Sequence, residues 1–190
     1  SIGVINIVRD PRNVITSVKH HYSLNNYDEA FEFICNEKNF LGKFDLKNNY
    51  ERETQFPTLI SSWNNHYNTW KNFKRNRLLI KYENLIDNPE KTFGTITKFL
   101  CKLLNLKINK HRINEAIKYS SFDKLKEDER KNGFVEAQVD HKTKNKKQFF
   151  YLGPKNNWKE LLPNEIKQKI EKRFEKEMKE LGYLNEKNIN

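Results

Sequence analysis

The sequence predicts an α/β fold in which helices flank a parallel sheet. Residues 4–8 form an apolar run rich in β-branched side chains, which is typical of a strand buried on both faces. Residues 77–83 form a second short strand, and amphipathic helical segments lie between and after the two runs. This order favours a right-handed crossover between parallel strands. Both carboxyl ends then lie at one edge of the sheet, where sheets of this type bind ligands.

The first predicted helix follows the first strand through a tight turn. Asp10 suits the N-cap and Pro11 the first helical position, and apolar side chains then recur at positions 14, 15, 18 and 22. This spacing leaves Asn13 and Ser17 on a polar stripe that adjoins Arg9. A guanidinium and a hydroxyl that converge there would match a phosphate or a sulfate. The alternative is a capped helix beside a surface arginine.

The next segments predict two helices separated by a loop. Residues 27–41 carry an apolar helical face that ends near Gly42, whereas residues 43–56 show no sustained period and predict a loop. Pro57 then precedes a longer helix with a broad aromatic stripe, which we expect to belong to the core. The stripe consists of Leu59, Ile60, Trp63, Tyr67, Trp70 and Phe73.

The second half of the chain predicts further helices and one long polar stretch. Amphipathic patterns predict a helix after Pro89 and another over residues 111–122. Residues 127–148 are polar, rich in lysine and without period, and they predict either a solvated face or a cover over an anionic ligand. The final helix begins at Pro163 and ends at Gly182. Its inner face holds Ile166, Ile170, Phe174, Met178 and Leu181.

Composition and charge limit the classes of protein. A chain of 190 residues suffices for one domain with a sizeable core, and 36% hydrophobic residues indicate a folded protein. The net charge of +11 fits nucleic acid, an anionic membrane or an anionic small ligand as partner. A basic nucleic-acid-binding module is therefore an alternative, supported by the aromatic and basic side chains interleaved over residues 67–75.

Cysteine usage predicts a reducing compartment. Cys35 and Cys101 lie in helical patterns, so we expect reduced core residues and a cytoplasmic protein. No Cys/His cluster has zinc-like spacing, and no apolar stretch approaches the roughly 20 residues of a membrane span. The sequence therefore predicts neither a metal site nor a membrane segment in this portion.

Residues 8–17 resemble the 3′-phosphate-binding segment of the sulfotransferases that use 3′-phosphoadenosine 5′-phosphosulfate (PAPS). In that family an arginine, and a serine eight places later, hold the 3′-phosphate, and Arg9 and Ser17 have that spacing. The resemblance implies PAPS as the co-substrate. It also implies an α/β sulfotransferase fold similar to that of the P-loop nucleotide kinases, of which this chain carries a part.

Two later segments resemble the adenine-binding parts of the same family. Residues 79–85 are similar to the strand whose tyrosine lies near the adenine, which implies that role for Tyr82. The alternative for Tyr82 is an aromatic side chain that covers the core. Ser120 and Phe122 match a later triplet that touches the adenine ring and the edge of the base.

Residues 149–159 resemble the closing loop that grips the 3′-phosphate in the family, with Gly153 in register. Tyr151 and Leu152 stand where the family has a basic pair, and residues 156–157 replace a Gly-Asp. This departure removes two positive charges from the predicted grip on the phosphate. We expect Lys155, or a lysine of the preceding run, to supply the lost charge.

The resemblance implies transfer of a sulfuryl group from PAPS to a hydroxyl or amine of a small molecule, glycan or peptide, without a metal and without nucleic acid. The family's 5′-phosphosulfate loop and catalytic histidine would precede Ser1. We therefore predict a single N-terminally truncated domain over residues 1–190 that holds no catalytic residue and is inactive alone. His20 and His21 occupy the wrong segment for the base and are predicted to be packing or surface residues. A phosphoryl-transfer enzyme is a further alternative, but no carboxylate suits its metal.

Overall fold

The structure of the protein is a computed structural model that describes residues 2–41, 58–140 and 144–184. Its strands are β1 (Gly3–Val8), β2 (Phe40–Leu41), β3 (Thr58–Leu59) and β4 (Asn76–Lys81). The helices up to residue 104 are α1 (Pro11–His21), α2 (Tyr27–Cys35), α3 (Trp63–Lys71), α4 (Tyr82–Asp87) and α5 (Pro89–Leu104). The later helices are α6 (Lys110–Tyr119), α7 (Phe122–Asn132), α8 (Trp158–Leu161), α9 (Asn164–Arg173) and α10 (Glu175–Glu180), with a 3-10 turn at Gly153–Lys155.

The parallel sheet of the fold is formed by β1 and β4. The two strands end level, with Val8 opposite Lys81. Arg9 and Tyr82 therefore follow the two carboxyl ends side by side. A separate antiparallel pair joins β2 to β3. The predicted α/β class, with a parallel sheet flanked by helices, is confirmed.

The prediction that the first strand is buried on both faces is wrong. Val8 and Asn6 are buried, whereas Ile7 is 49% exposed. Successive side chains of a strand point to opposite faces, and Val8 packs against Tyr67 of α3 and against Leu181. The covered face is thus the one that Asn6 and Val8 share, and no described residue buries the opposite face at Ile7.

The third helix begins later than the sequence predicts. Residues 58–59 form β3 instead of a first helical turn, because they pair with β2 and the Ile60 N–H donates to the Asn39 carbonyl oxygen. Ser61 then adopts a left-handed φ of 60°, and α3 starts at residue 63. Of the predicted stripe, Tyr67 is buried, while Leu59 is 55% and Trp70 37% exposed. The assignment of those last two side chains to the core is therefore wrong.

Other helices and strands also end at residues that differ from the predicted boundaries. The helix predicted over 27–41 ends at Cys35, and the strand predicted over 77–83 ends at Lys81, where α4 begins with Tyr82. The polar stretch from 127 is helical as far as Asn132, because lysine–carboxylate pairs such as Lys124–Asp128 at 2.8 Å support α7. The loop predicted over 43–56, with residues 42 and 57, lies outside the described residues.

The last helical segment forms much of the core, as its spacing predicts. All five predicted inner residues are buried, and four of them join one cluster with Ile15, Ala30 and Ile34. The segment is divided into α9 and α10 at Phe174, whose φ of −116° departs from helical values. Backbone hydrogen bonds still continue through that residue, so the apolar face remains unbroken.

A buried ion-pair network fixes the start of α1. Asp10 caps the helix by accepting from the Arg12 backbone N–H at 2.9 Å, and its carboxylate lies 2.7 Å from the Arg12 guanidinium. That guanidinium also pairs with Glu171 of α9 at 2.6 Å, donates to the Tyr183 carbonyl oxygen and lies 3.9 Å from the ring centre of Trp158. The network therefore connects the first turn of α1 to the last part of the chain.

We expect Arg12→Ala to destabilise the protein by about 3–5 kcal/mol, because it leaves the buried carboxylate of Asp10 without its cation. Arg112→Ala is the matched control, since Arg112 is exposed, and it should change the free energy of unfolding by less than about 0.5 kcal/mol. Urea denaturation of both variants measures the difference. Equal effects of the two substitutions would contradict a structural role for Arg12.

Candidate functional site

A cavity of about 890 Å³ lies at the carboxyl ends of β1 and β4. Its wall combines the first turns of the chain with segments more than 100 residues later, including residues 120–122 and 149–154. Six of the seven predicted site residues line it, namely Arg9, Ser17, Tyr82, Ser120, Phe122 and Gly153. Lys155 is the exception, because it is exposed at the end of the 3-10 turn and is not part of the wall.

Arg9 is a partly buried cation without a carboxylate partner among the described residues. Its guanidinium donates to the Ser17 hydroxyl at 3.4 Å and lies 4.3 Å from the ring centre of Tyr82, and its Nε is buried without a hydrogen-bond partner. Burial lowers the pKa of Arg9, an effect that nearby Tyr82 and Glu83 oppose. Arginine remains charged under such a shift, so this desolvated group is suited to bind an anion.

The backbone at Arg9 is held by side chains that sequence reasoning did not identify. Glu83 accepts from the Asp10 backbone N–H at 3.0 Å and from the Tyr183 hydroxyl at 2.9 Å. The Trp63 indole N–H donates to the Arg9 carbonyl oxygen at 3.0 Å. These bonds come from the segment after β4, from α3 and from the C-terminal part of the chain, so they fix the turn from several directions.

Asn156 joins the closing loop to the polar stripe of α1. Its side chain is 7% exposed and donates to the Ser17 hydroxyl and to the Asn13 carbonyl oxygen, each at 3.0 Å. It also accepts from the Thr16 hydroxyl at 2.6 Å, and the Asn13 side chain accepts from the Trp158 backbone N–H. In the sequence, Asn156 stood out only because it departs from the family pattern. The polar stripe on α1 was the signal that a polar partner had to lie opposite.

Phe122 and Gly153 form a tight contact in the cavity wall. A Cβ atom on Gly153 would lie 2.4 Å from the Phe122 ring, and Gly153 has a φ of +53° that favours glycine. Ser120 donates its hydroxyl proton to the Ala116 carbonyl oxygen at 2.7 Å, so its oxygen is left as an acceptor. The cavity thus presents an aromatic ring beside a hydrogen-bonding group.

Aromatic packing occupies Tyr151, the first of the two positions where the family has a basic pair. Tyr151 stacks on His20 with ring centres 3.9 Å apart, and His20 Nε2 lies 2.9 Å from the Gln148 carbonyl oxygen. His21 meets the ring of Phe149 edge-on, and burial lowers its pKa. Both histidines therefore pack against neighbouring rings, and both also line the cavity.

The sequence matches the sulfotransferase domain family over residues 1–182. The chain belongs to the sulfotransferase family. Among curated relatives of this sulfotransferase-family chain, sulfotransferase 2A1 of Macaca fascicularis is 27% identical and that of Homo sapiens 26% identical, each over 187 residues. Each alignment covers 94% of the chain and 57% of the relative. The enzyme of Rattus norvegicus is 31% identical over 141 residues, which cover 68% of the chain and 40% of the relative.

Solved structures of other proteins have the same fold as the sulfotransferase-family chain. Mouse sulfotransferase SULT7A1 complexed with PAP superposes with a TM-score of 0.62 at 18% identity, over 93% of this chain and 58% of the other. Retinol dehydratase in a complex with retinol and PAP superposes with a TM-score of 0.58 at 19% identity, over 92% and 47%. At these identities the likeness establishes the fold.

Several predictions for the sulfotransferase-family chain remain predictions. Residues 2–41, 58–140 and 144–184 contain no helix long and apolar enough to cross a membrane. The same ranges contain no group of three or more His, Cys, Asp or Glu side chains placed to hold a metal ion. Independence of metal, the single domain over 1–190 and the cytoplasmic location stay predictions.

We expect Gly153→Ala to displace the Phe122 ring and destabilise the protein by about 1–3 kcal/mol, because the added Cβ has no room and strains the backbone. Gly94→Ala is the matched control. Gly94 lies inside α5, where an added Cβ would meet nothing within 4 Å outside the backbone of its own helix, so alanine there should stabilise the protein by about 0.5–1 kcal/mol. Thermal unfolding of both variants measures the two effects. Unchanged stability of Gly153→Ala would contradict the packing argument.

Stability should fall as the pH rises above 10. Burial, with Glu83 as a further cause, raises the pKa of the Tyr183 hydroxyl above its usual 10.0. The unfolded chain therefore releases this proton while the folded chain keeps it, and the stabilisation present below pH 10 is lost above it.

Urea denaturation at about pH 8 and about pH 10.5 measures this loss. Tyr183→Phe should lose less unfolding free energy between the two pH values than the wild type does. Tyr119→Phe is the control, because Tyr119 is 57% exposed and should follow the wild type. The same loss in all three proteins would contradict the assignment to Tyr183.

Proposed function

We propose that this chain binds PAPS and contributes the 3′-phosphate and adenine half of the site to a sulfotransferase. The transferred sulfuryl group would go to a hydroxyl or amine acceptor. The observation that carries the proposal is the convergence of Arg9 and Ser17 at 3.4 Å in the wall of the cavity. Membership of the sulfotransferase family and the PAP complexes of two structural neighbours support it.

Arg9 would bind the 3′-phosphate. Its planar guanidinium offers several N–H donors to one oxyanion, and no described carboxylate competes for them within ion-pair distance. The Tyr82 ring lies against the guanidinium at 4.3 Å and limits its rotation. Ser17 would add a hydroxyl donor from α1, eight residues further along the chain.

Phe122 and Ser120 would hold the adenine. The wall near them is largely apolar and includes Leu85, Phe93 and Phe150, which suits the flat face of a purine. The Ser120 hydroxyl oxygen is available as an acceptor for an amino group at the edge of the base. The cavity wall thus offers both a cation and apolar surface, as a phosphorylated nucleoside requires.

We infer that the acceptor is a small molecule with a hydroxyl or amine. Two retinol dehydratase structures with this fold contain retinol or androsterone, which are small apolar compounds. Glycan and peptide acceptors were equally open from the sequence. We assign no general base among residues 2–41, 58–140 and 144–184, since the two histidines in the wall pack against aromatic rings. We also propose that no metal takes part.

The rival function is a basic nucleic-acid-binding module. Tyr67, one of the aromatic residues that favoured it, is 3% exposed and cannot stack on a base. A nucleic-acid module would bind less tightly as the salt concentration rises and would tolerate loss of one arginine, because many phosphate contacts share the binding free energy. A nucleotide site would depend on Arg9.

Calorimetric titration with 3′-phosphoadenosine 5′-phosphate (PAP) tests the proposal. We expect Arg9→Gln to weaken PAP binding roughly tenfold or more, because a charged hydrogen-bonding group is lost from a partly buried site. Lys155→Ala should bind PAP as the wild type does, since Lys155 does not line the cavity. Wild-type protein that binds single-stranded nucleic acid but no PAP would overturn the proposal.

A further inference from the structure

We propose that Asn156 is a positioning residue that aims the Ser17 hydroxyl at the 3′-phosphate and so gives the site its preference for a 3′-phosphorylated nucleotide. This inference rests on the proposed function. Asn156 is buried, lines the cavity and bonds to three groups of α1. No lysine or arginine stands at 151 or 152, where the family has its basic pair.

The hydrogen bonds fix the orientation of the Asn156 amide. The Asn13 carbonyl oxygen can only accept, and it lies 3.0 Å from one end of the amide, so that end is the donating Nδ2. The same Nδ2 donates to Ser17 Oγ at 3.0 Å, and the Oδ1 at the other end lies 2.6 Å from the Thr16 hydroxyl oxygen. The two hydrogens on Nδ2 serve these two acceptors, so the amide has no freedom to reverse.

The hydrogen bonds that Ser17 accepts also determine the role of its hydroxyl group. A hydroxyl oxygen accepts two hydrogen bonds and donates one. Asn156 Nδ2 donates to this oxygen at 3.0 Å and Arg9 donates to it at 3.4 Å. Both acceptor positions are filled, so the remaining role of Ser17 is to donate its proton.

The proton of Ser17 has no good acceptor among the described residues. The Asn13 carbonyl oxygen lies 3.5 Å away and already receives the Asn156 amide at 3.0 Å and contacts the Thr16 hydroxyl at 2.7 Å. An oxyanion in the cavity is a better acceptor than this crowded carbonyl. Asn156 therefore converts Ser17 into a donor that is ready for a phosphate oxygen.

The cavity wall holds little positive charge, so the Ser17 hydroxyl donor is important for binding an anion. Arg9 is the only lysine or arginine among the described residues that line the wall, and the wall also contains Asp123 and Glu136. The net charge of +11 is thus not concentrated at this site. Selectivity for the 3′-phosphate then depends on local donors, of which the Ser17 hydroxyl is one that Asn156 controls.

The test compares the affinities for PAP and for adenosine 5′-monophosphate, which lacks the 3′-phosphate. We expect Asn156→Ala to lower the ratio of PAP affinity to monophosphate affinity by about tenfold, because Ser17 loses its fixed orientation. Asn156→Asp has the same shape but cannot donate to Ser17, so it should also lower the ratio. Its negative charge repels the phosphate as well, so, if the alanine variant does not fold, the part of this effect that disappears in the Ser17→Ala background decides the question.

Asn157→Ala is the matched control. Asn157 caps α8 by accepting from the Lys159 backbone N–H at 3.2 Å and has no bond to Ser17. This substitution weakens the same loop, so a purely structural effect of the loop would lower both affinities and leave their ratio unchanged.

A double-mutant cycle with Ser17→Ala separates action through Ser17 from other effects. In the Ser17→Ala background, Asn156→Ala should change the ratio by less than about twofold. A ratio that Asn156→Ala and Asn156→Asp leave unchanged, in a protein that prefers PAP, would overturn the role of Asn156 alone. Wild-type protein without a preference for PAP would overturn the proposed function as well.

Discussion

The buried ion pair between Asp10 and Arg12 is the interaction on which the rest of the structure depends. Asp10 caps α1 and neutralises one side of the Arg12 guanidinium, and Glu171 neutralises the other. Arg12 pairs with both of these carboxylates, whereas Arg9 has none within ion-pair distance among the described residues, and nearby Glu83 accepts from the Asp10 backbone N–H and the Tyr183 hydroxyl instead. Arg9 and Arg12, three positions apart, thus have different roles. One stabilises the fold, and the other stays charged, desolvated and open to an anion.

The same turn couples distant parts of the chain to the site. Glu83 at the end of β4 and Tyr183 near the end of the described chain meet at the Asp10 backbone, so the position of Arg9 depends on both. The cavity wall is likewise built from segments that the fold brings to one sheet edge. The polar groups of the site are bonded to several elements at once, which suits recognition by oriented donors more than by overall charge.

Sequence periodicity predicted the elements that are organised by their own neighbours. The strand, the capped turn and α1 follow from spacing within twenty residues, and so does the meeting of Arg9 with Ser17 along one helix face. The apolar face of the last helical segment was also predicted, because every fourth residue of a packed helix faces the core. Helix and strand limits were less predictable. Pairing with β2 decided the conformation of residues 58–59, which local propensity could not indicate.

The sequence by itself determined the fold class, the family and the pair of Arg9 and Ser17, because these depend on residue order and short spacing. Only the tertiary structure decided which side chains complete the site. It brings Asn156 to Ser17 across 139 positions and leaves Lys155 outside the cavity, although the two are adjacent in the chain. Neighbours in a turn point in different directions, and the direction that meets α1 is set by packing of the whole loop.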